Sequence, residues 1–328
     1  MISTELLKRT EFYLLIVILI ISAVLSIVTE QFLTFSNWFD LLRNNSFLGI
    51  LALGELVILI SGGIDVSFTA TATVAQYIMG IVISRYVGNL FLAFLIPGVV
   101  GVALGSVNAV IIFFTGVPAV VVTIATLNAF NGFLQFTTGG KWIYNLPGSF
   151  KNFAGINMLK ISRPDGWPAT LSILVLFWVG AILITWLILN RTTIGRKLYA
   201  MGGNTEAARR AGFSIFRLMI FSYCYMGFLA GLASVVQAMQ TQVIQPNAIV
   251  GRELDVLAAT VIGGASVFGG RGSVLGTVLG VLLLAIVRNG LILLGVSSYW
   301  HKVATGMIIL VAVIVMALQR KFRTESTA

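Results

Sequence analysis

Apolar runs long enough to cross a membrane recur along the whole chain, separated by short polar stretches. They lie at residues 12–28, 45–60, 66–84, 90–114, 117–136, 169–189, 215–239, 254–268, 273–294 and 299–318. A helix of about 20 apolar residues suffices to cross a hydrocarbon core. The pattern therefore predicts an all-α fold, a polytopic transmembrane helical bundle of about ten spans, with the 328 residues forming a single transmembrane domain. Glycines flank the runs near 61–66 and 263–272, so the helices are expected to be broken or shallow there.

The first run follows Lys8 and Arg9, as a secretory signal would, but it is longer than the 7–15 residues or so of such a signal and continues into Glu30 and Gln31. It is read as a retained first span. Basic residues set the orientation. Lys8, Arg9, the six Lys and Arg of 190–217, Arg271, Arg320, Lys321 and Arg323 fall on one side when both termini are cytoplasmic, and that side is read as the cytoplasm. The segment 137–168 carries Lys141, Lys151, Lys160 and Arg163 with three prolines and five glycines, and is expected to be a structured extracytoplasmic loop.

Composition agrees. Hydrophobic residues make up 58% of the chain and charged residues 10%, against about 25% charged in an ordinary soluble domain. The net charge of +10 clusters at the ends of apolar runs, which is a topology signal and argues against nucleic acid as a partner. Membrane lipid is the partner it implies. The single cysteine, Cys224, lies in an apolar run and excludes an internal disulfide.

One extended polar stretch, about 190–214, carries helix signals. Asn204 is a candidate N-cap, Glu206 sits in the first turn, Arg209 and Arg210 in the last, and Gly212 can take a left-handed stop. These predict a helix of about two turns over 205–211. So short a helix is marginal alone and needs a surface to lie against, for which Ala207, Ala208 and Ala211 offer a small-residue face.

Two further stretches are unusually patterned. In Ser61-Gly62-Gly63-Ile64-Asp65-Val66-Ser67 the glycines permit a tight turn, and Asp65 is placed to cap the third helix. In the C-terminal third, Glu253-Leu254-Asp255 precedes Val261-Ile262-Gly263-Gly264-Ala265-Ser266-Val267-Phe268-Gly269-Gly270-Arg271-Gly272. Gly272, Gly276 and Gly280 then recur every four residues, giving one helix a flat face for close packing.

These three stretches, with Gly195-Arg196, Tyr199-Ala200, Gly202-Gly203-Asn204, Ala207-Ala208 and Gly212, resemble the permease subunits of bacterial ABC importers for ribose and related simple sugars, the ribose and autoinducer-2 type. The resemblance runs from about Gly49 to Gly306. It implies that Gly202, Gly203, Asn204, Glu206, Ala207, Ala208, Arg209, Arg210 and Gly212 form a cytoplasmic coupling helix that docks on an ATPase subunit. It implies structural roles for Gly62, Gly63, Asp65, Glu253, Asp255, Gly263, Gly264, Gly269, Gly270 and Gly272. The implied partners are a second permease copy or paralogue, a cytoplasmic ABC ATPase that holds ATP and Mg, and a periplasmic or lipid-anchored binding protein that could touch the 137–168 loop. The chain departs from the family at Asn108-Ala109, at Asn131-Gly132 and at Glu55, where Met or Gln is expected.

Candidate pathway residues are polar groups inside spans. Glu55 is an acid at membrane depth, where ionisable groups usually face a cavity or a partner. Asn128, Asn131 and Gln135 share one helix face, and Gln237, Arg288 and Asn289 stand in later spans. Such amides suit a polyol pathway, while for any one of them hydrogen bonding between helices is the slightly favoured reading. His301, beside Trp300 and Lys302, reads as interfacial.

No phosphate-binding loop is present, because Gly140-Lys141 is followed by Trp142 and lacks the earlier glycine. One histidine and one cysteine leave no metal cluster and no nucleophile-base set, so the chain is expected to be neither enzyme nor cofactor carrier. Energy must come from another subunit or from an ion gradient. The first alternative makes the chain a permease for a monosaccharide or similar polyol. The second makes it an ion-coupled secondary transporter, with Glu55, Asp65 and Asp255 as the supply of coupling acids.

Overall fold

The computed structural model describes residues 10–85, 89–162, 168–297, 299–307 and 310. Lys8, Arg9, Arg163, Arg320, Lys321, Arg323 and half of the expected run 299–318 lie outside them.

Helices dominate: α1 (Thr10–Val28), α2 (Phe35–Ser61), α3 (Phe68–Arg85), α4 (Leu90–Thr115), α5 (Ala119–Thr138), α6 (Gly148–Ala154), α7 (Leu174–Arg191), α8 (Thr193–Gly203), α9 (Thr205–Arg210), α10 (Ile215–Thr241), α11 (Glu253–Ile262) and α12 (Val274–Leu293). Seven of these, α1, α2, α4, α5, α7, α10 and α12, are long and apolar enough to cross a membrane. The expected runs at 66–84 and 254–268 correspond to α3, which carries four polar residues in its first nine, and to α11, which has only 10 residues. The segment 137–168 and the residues that follow it are not all helix. Strands β1 (Asn157–Ile161) and β2 (Ala169–Ser172) pair antiparallel, so the run expected at 169–189 begins as a strand and turns helical only at Leu174.

α2 and α10, each of 27 residues, form the centre. From Ser46 to Ser61 every residue of α2 is buried, and apart from Ser46, Glu55 and Ser61 the stretch is glycine and apolar side chains all round, as expected of a helix enclosed by others. α10 lies so close to α4 that backbone touches backbone. A methyl group at Gly101 would run into the Gly227 carbonyl, one at Gly105 into that of Tyr223, and one at Gly231 into that of Pro97. The four-residue glycine spacing on α12 works the same way, with Gly276 set against Gly263 and Gly280 against Ala259 of α11. α1 packs outside α12 and is tied to it by Ser273, whose hydroxyl donates to Glu11 at 2.7 Å.

Candidate functional site

Two chemically different places lie toward opposite ends of α2 and α10. The first is a junction built from the three glycine-bearing stretches. The Thr192 hydroxyl accepts from the Gly195 amide at 3.2 Å and starts α8, which buries Gly195, Leu198 and Met201 on one side. The Asn204 side chain then accepts from the Ala207 amide at 2.9 Å and starts α9. Gly212 (φ 81°) ends it, with the Gly212 amide bonded to the Arg209 carbonyl at 3.0 Å and the Phe213 amide to that of Ala208 at 3.1 Å. This pair of bonds is a Schellman stop, so the local signals at Asn204 and Gly212 act as the sequence predicts.

The small-residue face does not hold together as expected. Ala208 is buried against its own subunit, while Ala207 and Ala211 are exposed. A helix this short turns only one narrow strip inward, and position 208 occupies it. Glu206 is paired with Arg209 at 3.5 Å and Arg210 at 3.4 Å, all three mostly exposed, leaving an outer surface of one acid and two bases.

Beneath α8 the backbones interlock. The Gly270 amide donates to the Ile60 carbonyl at 3.0 Å, and the Tyr199 hydroxyl donates to the Gly272 carbonyl at 2.8 Å. Burial pushes the Tyr199 phenol up from its usual value, which keeps it a donor. A methyl at Gly202 would run into the Ile60 carbonyl and come within 2.7 Å of the Gly270 amide nitrogen, and one at Gly269 would lie 2.9 Å from the Gly62 Cα. Gly62 (φ 90°), Gly269 (φ 86°) and Gly270 (φ 70°) all hold left-handed backbone. Gly203, by contrast, is exposed with open space beside it.

Gly63 leads from this junction to a buried polar cluster. The Glu55 side chain is fully buried. Its Oε1 accepts from the Asp65 amide at 3.4 Å, while its Oε2 has no partner. Asp65 does not cap the first amides of α3. Its Oδ1 accepts from both the amide and the hydroxyl of Ser67 at 2.7 Å, an Asx turn that sets the residue just ahead of the helix. The Asn108 amide donates to the Ser67 hydroxyl at 2.7 Å.

The second place is a cavity of about 310 Å³ among the other ends of α2, α10 and α12. Asp40, Asn44, Gln237, Arg252, Arg288 and Asn289 are among the residues lining it. Gln237 is oriented by Gln76, which donates to it at 2.5 Å, and Asn289 by a reciprocal amide pair with Asn37 at 2.7 and 3.1 Å. Arg288 reaches Asp255 at 3.0 Å, and Arg252 reaches the same carboxylate oxygen at 3.4 Å. Glu253 is committed to structure, accepting from the Thr69 hydroxyl and from the Gly251 amide.

Of the expected pathway residues, the cavity gathers Gln237, Arg288 and Asn289. Glu55 is sealed in the core. Asn128 and Gln135 are exposed and Asn131 half-buried on α5, away from both places, beside the exposed rings of Phe133 and Phe136. Sequence reasoning missed Asp40, Asn44 and Asn45. They belong to the polar first third of α2, which hydropathy alone excludes from a span although its Thr34 cap marks the true start. α8 was missed as well. Its signal was the spacing of Gly195, Leu198 and Met201 behind the Thr192 cap.

Comparison with known proteins places this architecture. Residues 37–313 match the family model described as branched-chain amino acid transport system / permease component. The chain is 34% identical to the ribose import permease protein RbsC of Escherichia coli K12 over 305 residues, 92% of each chain. It is 32% identical to the autoinducer 2 import system permease protein LsrC of Photorhabdus luminescens over 94% of this chain and 89% of the relative, and 32% identical to RbsC of Haemophilus influenzae over 91% and 90%. No solved structure matches. With a family model spanning most of its length and relatives above 30% identity aligned nearly end to end, this multi-pass membrane protein belongs to the branched-chain amino acid transport system permease component family.

Proposed function

We propose that the chain is the membrane-spanning permease subunit of an ABC importer that carries ribose or a related small sugar across the inner membrane, driven by a separate ATPase subunit that holds ATP and Mg. The observation that carries this reading is the near full-length similarity to ribose and autoinducer 2 import permeases. The junction supports it, because α9 offers an exposed, charged and sharply capped helix braced on rigid backbone contacts.

In this reading α9 is the coupling helix and seats in a groove of the ATPase. Its docking surface is Ala207, Arg209, Arg210 and the flanking residues, since Ala208 is spent on internal packing. α2, α10 and the Gly263–Gly272 loop convert its motion into rearrangement of the spans. α3, α11 and the run 299–318 bring the crossings to ten, with both termini on the ATPase side. α5, with Asn128 and Gln135 facing outward, meets a second permease copy or paralogue, and the 137–168 segment meets the binding protein.

Reconstitution in vesicles tests the proposal. Uptake of labelled ribose should require the ATPase, ATP and the binding protein together. Uptake driven by a sodium or proton gradient with no ATPase would replace it with the secondary-transporter reading.

A further inference from the structure

The cavity among α2, α10 and α12 is lined by polar and apolar side chains together. It is bounded on one side by residues 242–252, which are not helical. Irregular backbone between membrane spans persists where it is buried in protein or lines a water-filled cavity, because its amides and carbonyls must be satisfied. This segment uses both. Ile244 is bonded to Ile143 at 2.9 and 3.0 Å, while Ala248 and Arg252 line the cavity.

The lining is rich in amides and its cations are already engaged. Asp40 lines the cavity with Arg252 and Arg288, and Asp255, which lies beside the cavity and not on its wall, pairs with both arginines. A site for a phosphate or another anion would leave its cations uncommitted, whereas here a carboxylate already occupies them. Among the amides, the Gln237 Oε1 is spent on Gln76, leaving its NH2 group free to donate, and Asn44 is exposed to the cavity. Phe47, Leu48 and Ile292 add apolar surface. A free amide donor and the exposed Asn44 amide beside apolar surface fit a neutral molecule with hydroxyls on one face and C–H groups on the other. The volume is at the lower end of the roughly 300–1,000 Å³ found for small-molecule sites.

We infer that this cavity is a binding site within the single permease subunit for an uncharged monosaccharide or polyol, one that discriminates against phosphorylated sugars. The inference rests on the importer reading for its substrate class. It goes beyond that reading by locating a sugar site inside one chain, toward the opposite end of α2 from the junction. From Leu48 to Ser61 along α2 is about 20 Å at 1.5 Å per residue.

The full-length chain in lipid nanodiscs provides the test. Cys224→Ser removes the native thiol, and Ala248→Cys places a small reporter on the cavity wall for reaction with a water-soluble maleimide. Ribose and a panel of five- and six-carbon aldoses and pentitols are added at millimolar concentration. At least one should slow labelling threefold or more, while ribose 5-phosphate and inorganic phosphate leave the rate unchanged. Gln237→Ala combined with Asn44→Ala should abolish protection without altering the size-exclusion profile or the thermal midpoint.

Protection by phosphate, or by anionic over zwitterionic nanodisc lipid, would overturn the inference in favour of a headgroup site. No protection by any neutral sugar would also overturn it. Because ATPase and binding protein are absent, failure here leaves ATP-driven uptake untouched. Loss of ATP-driven uptake with protection intact would instead count against the importer reading.

Discussion

The Gly270 amide donates to the Ile60 carbonyl at 3.0 Å, joining two segments 210 positions apart where a methyl group on the intervening Gly202 would strike that same carbonyl. Ile60 is the next-to-last residue of α2, so its carbonyl is one of those a helix end leaves without an internal partner. The glycine loop satisfies it. The absence of side chains at 62, 202, 269 and 270 is therefore a condition of assembly, and it locks the end of the central helix to α8 without flexible side chains between them.

Gly202 and Gly203 should consequently behave oppositely, although they are neighbours in one helix. Gly202→Ala overfills a backbone contact, which typically costs about 1–3 kcal/mol, and should lower the thermal midpoint and ATP-driven uptake together. Gly203→Ala meets open space and gains up to about 1 kcal/mol of helix propensity, so stability should hold or rise. Thermal denaturation of the two purified variants checks the contrast, and equal midpoints would mean that the junction is not packed as described.

Tyr199→Phe separates the hydrogen bond from the packing. The ring keeps its place and the 2.8 Å bond to the Gly272 carbonyl is lost, at a cost of about 0.5–1.5 kcal/mol. A modest drop in the midpoint, without loss of uptake at low temperature, is the expected result in the same two assays.

On the exposed helix, the asymmetry between Ala207 and Ala208 sets the outcome. Ala208→Trp forces a large ring into a site with only 3% exposure and should damage the subunit itself. Ala207→Trp leaves the subunit folded and should reduce copurification of the ATPase. Arg209→Ala removes one exposed ion pair, worth about 0–1 kcal/mol, and should weaken copurification slightly and mainly at low salt. Pull-downs at two salt concentrations, paired with midpoints of the permease alone, distinguish these effects. Unchanged ATPase recovery with Ala207→Trp would remove α9 from the interface.

How much of this was legible in the sequence follows from the range of the signals. α9 was readable because its cap, its charges and its stop fall within nine consecutive residues, and local hydrogen bonds enforce them. The start of α2 was not, because Trp38, Asp40, Arg43 and Asn44 lower the hydropathy while the helix continues regardless, held by tertiary contacts such as the Gln240 amide on the Arg43 carbonyl. The β1–β2 hairpin was hidden in a segment whose prolines and glycines suggested loop. Gln237, Arg288 and Asn289 were each suspected singly, but nothing local unites them with Asn44 or Asp40. Three helices from distant parts of the chain do so, and that juxtaposition exists only once the bundle has packed.

The Asp255–Arg288 pair should be measurable as a coupled unit. Asp255 is mostly covered and is shared by two arginines, so removing Arg288 leaves it with the longer 3.4 Å contact to Arg252 alone. A double-mutant cycle of Asp255→Asn and Arg288→Gln should give a coupling energy of about 0.5–3 kcal/mol, from thermal or denaturant stability. Strict additivity would mean that the pair is formed only loosely and that the charges lining the cavity are independent of one another.

Glu55 offers the sharpest separation of the two transport readings. Its carboxyl is fully buried, one oxygen has no partner, and no described ion pair involves it, so its ionised form would carry a large desolvation cost. Glu55→Gln keeps the shape and the acceptor for the Asp65 amide while replacing the unpartnered oxygen with a neutral donor. For a structural residue this variant should fold at least as well as the parent and retain ATP-driven uptake. Glu55→Leu should be worse, because it orphans the Asp65 amide at a cost of about 1–3 kcal/mol. An ion-coupled carrier predicts the reverse for uptake: Glu55→Gln would abolish it whatever its stability. Thermal midpoints and vesicle uptake of the two variants decide the matter, and a stable Glu55→Gln protein without transport would assign Glu55 to the translocation chemistry.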